Sequence, residues 1–365
     1  MPNNMIDIRT TTFMEGVIRE KPQVYTFLRD RYFGERDVFT TEEVLIDYDD
    51  GAGNVLAPFV VPRVGKVPME RGGFETRRLA PAYIAPSRVL TVDVLKRRMA
   101  GENLFSQMTP AERARYYVVD DLDFLDKTVT RREEWMCAET MLDNACTMEH
   151  IGDQADKSIS MTAKFYDGDK NPGVFKPTKA WAVGTATKRG TWYDEVCKQI
   201  ESMTAAGREV TDLVMGAEVG GMVMFDPWIV AMMDNRRMDI AHIDPRWQPN
   251  GVTSLGPVNF SGVTLELFID RGTYQERNAK GVLTTKPYFP AKAAMLAAPG
   301  TGKLRNGAVT QKEMDGETYT RFGSRVPKHL VHVDTNSEET ILTSAPIAAP
   351  KMKGQWRSCR DVFTV

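Results

Sequence analysis

The sequence predicts an α+β protein organised around one very long helix, and three observations carry that prediction. From Thr109 to about Glu149, apolar residues recur at helical spacing with no Gly and, after Pro110, no Pro. Elsewhere the chain holds many short runs of alternating or continuous apolar residues bounded by turn residues, the mark of strands. Between residues 50 and 90 lies a Pro- and Gly-rich ribbon with no pattern able to build a core of its own.

The long helix opens on a capping box. Thr109 is placed to accept from the amide of Glu112, and Glu112 to reach back. Pro110 takes the first helical position, where its missing N–H costs nothing. Val118, Leu122, Leu125, Val129, Met136, Ala138, Met141, Leu142 and Ala145 form the apolar face. Asp120, Asp121, Asp123, Asp126, Arg131, Arg132, Glu133 and Glu134 are expected on an opposite, solvated face. Such a helix is roughly 60 Å long, too long to hide in a domain whose radius of gyration is near 13 Å for about 100 residues. It predicts a spine and an elongated molecule.

Taken in order, the first 35 residues read as an arm. A short helix is expected after Pro22, with Val24, Phe27, Leu28 and Tyr32 on one face and Gly34 as its stop. That stripe either docks on the chain's own body or on a neighbour. Val44, Ile46 and Tyr48 alternate as a strand does, and DYDDGAGN turns the chain. The ribbon beyond carries prolines at 58, 62, 68, 81 and 86, together with Phe59, Val60, Val61, Val64, Val67 and Phe74, which suit no solvated linker. An extended loop lying on another subunit accounts for both facts. Arg88–Leu95 alternates and leads back to the body.

After the spine, Ile159, Met161, Ala163 and Phe165 alternate, residues 170–190 are loop-like and basic, and Trp192–Met203 is an amphipathic helix. Asp212–Met215 reads as a buried strand. Ala217–Met224 is helical, and Asp226 caps a helix that starts at Pro227. Val263–Ile269, a hairpin over Tyr274–Pro287, Ala293–Ala297, His329–Val333 and Ile341–Ile347 supply further strands of a second unit, with Tyr274 and Phe289 in its core.

Composition bounds the function. Hydrophobic residues make up 42% and charged ones 26% of 365 residues, enough for two or three core-bearing units. The net charge of −2 supplies no global basic field, so contact with DNA is expected to be weak and non-specific. No apolar run is long enough to cross a membrane, and MPNNMIDIRTTT lacks the basic and apolar regions of a secretory signal. Cys137, Cys146, Cys197 and Cys359 are scattered and expected as reduced thiols.

Catalytic and cofactor motifs fail on specific residues. APGTGKL has Ala297 and Leu304 where a phosphate loop needs Gly and Ser or Thr. DYDDGAG has Ala52 and Pro58 where a calcium loop needs Gly and Glu. His329 and His332 fall on opposite faces of a strand, and there is no G-x-S-x-G elbow. No catalytic, metal or cofactor site is assigned, and the chain is read as non-enzymatic.

Several segments together resemble the lambda-type phage major capsid proteins, the major capsid protein E family. They are Phe39-Thr40-Thr41-Glu42-Glu43-Val44, Arg71-Gly72-Gly73-Phe74, Leu79 to Pro86, Asp212 to Gly216, Met233-Asp234-Asn235-Arg236-Arg237, Gly272-Thr273-Tyr274, Pro287-Tyr288-Phe289-Pro290, Gly307-Ala308, Arg325-Val326-Pro327-Lys328 and Ser344-Ala345-Pro346-Ile347. Arg305–Tyr319 departs most from the family. The resemblance implies a Hong Kong 97-like capsid fold. Its parts would be an N-terminal arm (1–40), a strand and extended E-loop (41–90), and a P-domain (91–203) with spine helix 109–149 and a return strand at 338–350. An A-domain (204–337) and a tail (351–365) joining it complete the fold.

The implied function is self-assembly into hexamers and pentamers of an icosahedral shell around double-stranded DNA, in the virion and assembled in the host cytoplasm. Scaffold, portal and decoration proteins are the further partners such a shell admits, with no membrane and no cofactor. Contacts between subunits are expected from Phe59, Val64, Glu70, Arg71, Phe74, Arg77 and Arg78 of the loop and from Val24, Phe27 and Leu28 of the arm. Arg236 and Arg237 read either as charges at a helix C-terminus or as a contact within a capsomer. Two other readings are a two-domain enzyme with an unfamiliar site and an encapsulin-like cellular shell.

Overall fold

The computed structural model describes residues 24, 26–49, 73–97, 109–151, 158–168, 170–233, 245–247, 251–277, 282–313 and 316–364. Its first elements are helix α1 (Phe27–Tyr32), strands β1 (Glu35–Val38), β2 (Val44–Asp49), β3 (Phe74–Leu79) and β4 (Ser87–Thr91), and the short helix α2 (Val92–Lys96). The spine is α3 (Pro110–Asp143), followed by the hairpin of β5 (Ala145–Ile151) and β6 (Ser158–Lys164). Next come α4 (Thr191–Ala205), β7 (Asp212–Met215), α5 (Ala217–Met224), α6 (Pro227–Met233), β8 (Arg246–Trp247), β9 (Val252–Phe260) and β10 (Val263–Asp270). The chain continues through β11 (Thr273–Arg277), β12 (Leu283–Pro287), β13 (Ala294–Ala297), β14 (Gly302–Asn306), β15 (Val309–Lys312) and β16 (Thr318–Arg321). It closes with β17 (Val326–His332), β18 (Ser337–Thr343), β19 (Pro346–Pro350) and β20 (Arg357–Cys359).

The spine starts as expected: the Glu112 amide donates to Thr109 Oγ1 at 3.3 Å and the Thr109 amide to the Glu112 carboxylate at 2.7 Å. It ends sooner than Glu149. Asn144 takes the left-handed conformation at φ 52°, which Asn tolerates better than most residues. Beyond it Cys146 and Met148 turn inward at alternate positions of β5, so a short apolar run that fitted either period belongs to a strand. The helix is thus about 50 Å long. Its first half packs Val118, Leu122, Leu125 and Val129 against Leu342 of the β17–β18–β4 sheet. Its second half enters the main core with Met136, Cys137, Ala138, Met141 and Leu142.

The charged face is the larger correction. Asp121, Asp126, Glu133 and Glu134 are buried rather than solvated. Arginines brought in from distant parts of the chain, and the amides of α1, take up their charge and hydrogen-bonding capacity. Arg88–Leu95 is also a strand only as far as Thr91. Its partner β18 begins at Ser337, opposite Thr91, so pairing runs out and the chain turns into α2.

A six-stranded sheet in the order β20-β13-β7-β10-β9-β8 forms the second unit. Its alternation feeds two cores. Leu213, Met215, Leu265, Leu267, Ile269 and Leu296 pack against Trp192, Val196 and Ile200 of α4. Val214, Phe268 and Met295 point the other way, into the core shared with the spine and α1, where Phe289 also lies. Tyr274 is only partly buried, beside Tyr288. β9 was not foreseen because Gly256 and Pro257 interrupt it, next to a register shift at Leu267/Phe268. The GTGK segment is a turn, with Gly300 at φ 68°, that leads into β14.

β14 lies between β1, its parallel partner, and β19, its antiparallel partner. A Cβ on Gly302 would stand 2.2 Å from the ring of the fully buried Phe33. Gly302→Ala is therefore expected to lower stability by about 1–3 kcal/mol, the range for overpacking, read by urea unfolding of the purified subunit.

Candidate subunit interface

Helix α1 has no side-chain cap of its own. The cap comes from the spine: the amides of Leu28 and Arg29 donate to the two carboxylate oxygens of Glu134, at 2.9 and 2.8 Å. Burial pushes the Glu134 carboxyl up to about 7, against the pull of those two amides. One residue earlier, Glu133 is fully buried between two arginines. Arg29 Nη1 donates to it at 3.2 Å, and Arg325 Nη1 to its other oxygen. Arg325 also donates from Nε to Asp126 at 2.7 Å and from Nη2 to Thr130 at 3.2 Å. Burial would raise the Glu133 carboxyl, but Arg325, Arg36 and Arg29 outweigh it and hold the group below its ordinary range.

The other end of α1 reaches the six-stranded sheet. Arg31 donates from Nε and Nη2 to both oxygens of Asp212, at 2.6 and 2.9 Å, and Tyr32 donates to the same carboxylate at 2.9 Å. Phe27 packs on Phe268 with ring centroids 5.1 Å apart. The helix is thus a strap between spine and sheet. Phe27 and Leu28 are 4% and 0% exposed within their own chain, so the subunit's own core, not a neighbour, takes them. Val24 is half-buried.

The β2–β3 hairpin shows a divided face. Val44, Ile46 and Tyr48 are buried beneath it. Arg77, on the same side, donates to the carbonyls of Lys164 and Tyr166 and pairs with Glu75 and Asp167. Lys353 of the C-terminal segment donates to Glu75 at 2.6 Å and to Asp167 at 2.7 Å. Arg77 therefore fastens the hairpin's root to its own body and is not free for another copy. Phe74 and Leu45 are 75% and 45% exposed, and Arg78, opposite Leu45 in the register, shares their outward side. Phe59, Val64, Glu70 and Arg71 of the loop, and Arg236 and Arg237, lie outside the described residues.

The spine also carries exposed aromatic residues. Tyr116 and Phe124 are 60% and 46% exposed, two helical turns apart, with Arg88 stacked 4.0 Å from the Phe124 ring centroid. On the strap side of the six-stranded sheet, an open groove of about 640 Å³ is lined by the charged Arg31, Glu209, Asp212 and Glu266 and the apolar Pro257, Ala298 and Pro299, among others. No group of three or more potential metal ligands exists among the described residues. The cysteines are free, and burial pushes the Cys146 thiol up to about 12.

Sequence reasoning missed Glu133, Glu134, Asp126, Arg29 and Arg325. A signal was present: Glu133 falls four residues after Val129 and three before Met136, on the apolar stripe itself. An acid on that stripe announces a buried partner, although no rule of spacing names Arg325.

Comparison with known proteins follows the same lines. The profile of the family described as phage major capsid protein E matches residues 10–358. The major capsid protein of Enterobacteria phage P21 is 32% identical over 342 residues, covering 93% of this chain and 94% of that one. That of Escherichia phage lambda is 23% identical over 340 residues, covering 88% and 89%. A crystallised chain assigned as the capsid protein of an Escherichia coli CFT073 prophage superposes with a TM-score of 0.62 at 14% identity, over 96% of this chain and 98% of that one, and shares the fold.

Arg325→Ala leaves Asp126 and Glu133 buried without their shared cation, and is expected to cost about 3–5 kcal/mol in denaturant unfolding. For Glu134 the sign follows from its raised pKa. The folded chain holds the proton between the ordinary 4.5 and about 7 and the unfolded chain does not, so stability falls as pH rises through that window. Glu134→Gln removes this dependence. Across the window, the stability of the variant relative to the parent should improve by roughly 3 kcal/mol, measured by urea titrations at successive pH values.

Proposed function

We propose, from the premise that this chain belongs to the phage major capsid protein E family and is a structural subunit of a phage capsid with the Hong Kong 97-like fold, that it builds its shell chiefly by laying the β2–β3 loop over the next copy. On this reading residues 1–40 are the arm and 41–90 the extended loop. Residues 91–203 with 338–350 form the peripheral domain around the spine, 204–337 the axial domain, and 351–365 the tail that joins it. The role is mechanical and requires no catalysis.

One observation carries the reading. The loop's root is clamped by Arg77, Glu75, Asp167 and Lys353, while its outer face leaves Phe74 and Leu45 in solvent. An anchored root with an uncovered apolar face is the geometry of an element aimed at a partner. The prolines of the ribbon reduce the entropy lost when it docks. The Tyr116–Phe124 stripe of a neighbour's spine supplies an apolar seat of matching character. Head-to-tail contacts close into rings when the rotation allows, so axial domains meet around five- and six-fold axes and yield hexamers and pentamers. A near-neutral subunit encloses DNA without gripping it, since a strongly basic lining would hold many phosphates. Assembly in the host cytoplasm, with scaffold, portal and decoration proteins as partners, belongs to the same proposal.

The purified protein is expected to form particles or ring-shaped capsomers that dissociate on dilution. A strictly monomeric protein at high concentration in permissive salt would overturn the proposal. Deleting residues 65–72, which precede β3 and its clamp, should leave a folded subunit by circular dichroism and abolish shells in electron micrographs. Loss of folding instead would place that loop in the core.

A further inference from the structure

Residues 170–193 hold five cations, Lys170, Lys176, Lys179, Lys188 and Arg189, and no acid. All five are exposed. Lys170, Lys176, Lys179 and Lys188 form no ion pair among the described residues, and Arg189 sits over the rings of Tyr193 and Trp228, 5.4 and 6.0 Å from their centroids. The backbone beneath them is fixed. Phe175 and Trp181 are buried in the core under α4, and their amides donate to the carbonyls of Ser358 and Val362. A Cβ on Gly184 would meet the Lys188 carbonyl at 2.3 Å, and one on Gly190 the Ala182 carbonyl at 2.5 Å, so the turn carrying Lys188 is tightly closed. Lys188 and Arg189 also precede the N-terminus of α4, the end where the helix dipole disfavours cations. Asp194 lies in the first turn of the helix and Asp226 accepts from the Gly184 amide, but neither forms an ion pair with Lys188 or Arg189 among the described residues.

The complementary charge lies across the same sheet. Asp212 and Glu266 are opposite each other in the β7–β10 register and share the strap side, whereas Leu213 and Leu267 turn to the α4 side. In the groove there, Arg31 pairs with both Asp212 and Glu266, at 2.6 and 3.2 Å. One cation against three carboxylates, Asp212, Glu266 and the exposed Glu209, leaves the groove net negative. A basic segment associated with one side of a sheet and an acidic groove on the other is the arrangement a head-to-tail contact requires.

We infer that, in the ring formed by this subunit, the basic segment Lys176–Arg189 of one copy seats against the Glu209–Glu266 groove of the next. The inference rests on the capsid reading and adds to it which surfaces meet. The partner is a second copy rather than DNA, because the chain itself carries the matching carboxylates and its net charge of −2 opposes a polyanion. Rim charges of this kind set register and encounter rate more than affinity. The pre-formed turn keeps the ordering cost of docking low.

Charge reversal tests it on the full-length protein. Lys176→Glu with Lys179→Glu, and separately Glu209→Lys, should each lower the yield of capsomers by about tenfold at low salt. All three substitutions together should restore it to within about threefold of the parent. None of these residues has an ionic partner within its own chain among the described residues, and circular dichroism checks that each variant folds. The milder Lys176→Gln with Lys179→Gln should show a smaller loss in the same direction. Undiminished assembly by the singly reversed variants, or a combined variant no better than they are, overturns the inference while the parent's shells keep the capsid reading intact. Normal shells that hold less DNA also overturn it, in favour of a nucleic-acid contact. A parent that never assembles defeats the capsid reading itself.

Discussion

Glu133 is the constraint on which the rest of the structure depends. It is a carboxylate with no access to water, held between Arg29 of α1 and Arg325 just before β17. Three stretches far apart in the chain thus meet at one charge on the spine. Such a pair adds little net stability over a well-packed apolar cluster. Its contribution is to admit one arrangement: a shifted arm or a rotated spine leaves an ion stranded in the core. Glu134 acts in the same way with backbone amides, orienting α1 so that Arg31 and Tyr32 arrive at Asp212.

From that anchor the two units become one body. The six-stranded sheet sends one set of side chains to α4 and the alternate set toward the spine and strap. With apolar side chains covered on both faces, what the sheet leaves open is mainly the groove beside Arg31, Asp212 and Glu266. The β2–β3 hairpin leaves another surface open. The inner face of β2 and β3 is spent on their own core and the loop's root is locked by ions, while Phe74 and Leu45 on the outer face stay in solvent.

Much of this was legible in the residues. The capping box, the apolar period of the spine, the strands at Val44, Asp212 and Val263, and the Tyr274–Pro287 hairpin all follow from local chemistry, and local chemistry is what a sequence displays. The end of the spine was not, because residues 145–151 fit a helical and a strand period equally until a pairing strand decides. The buried acids were misplaced for a related reason. For Glu133 and Asp126 burial is set by Arg29 and Arg325, partners 104 to 199 residues away in the chain, and charge alone looks like a solvated face. The arm's apolar stripe could serve its own subunit or another, and only the Glu134 cap and the Phe268 contact resolve it.

The strap also bears on how the molecule is made. Arg31 leaves the ribosome early, yet Asp212 lies 181 residues further on. At roughly 5–20 residues per second, the arm waits on the order of ten seconds or more for that partner. During translation Phe27, Leu28 and Tyr32 lack the spine and then the sheet residues that bury them in the finished subunit. The subunit fastens its beginning only after most of its length exists, so an interrupted chain is left with an open, sticky end that distinguishes it from a finished one.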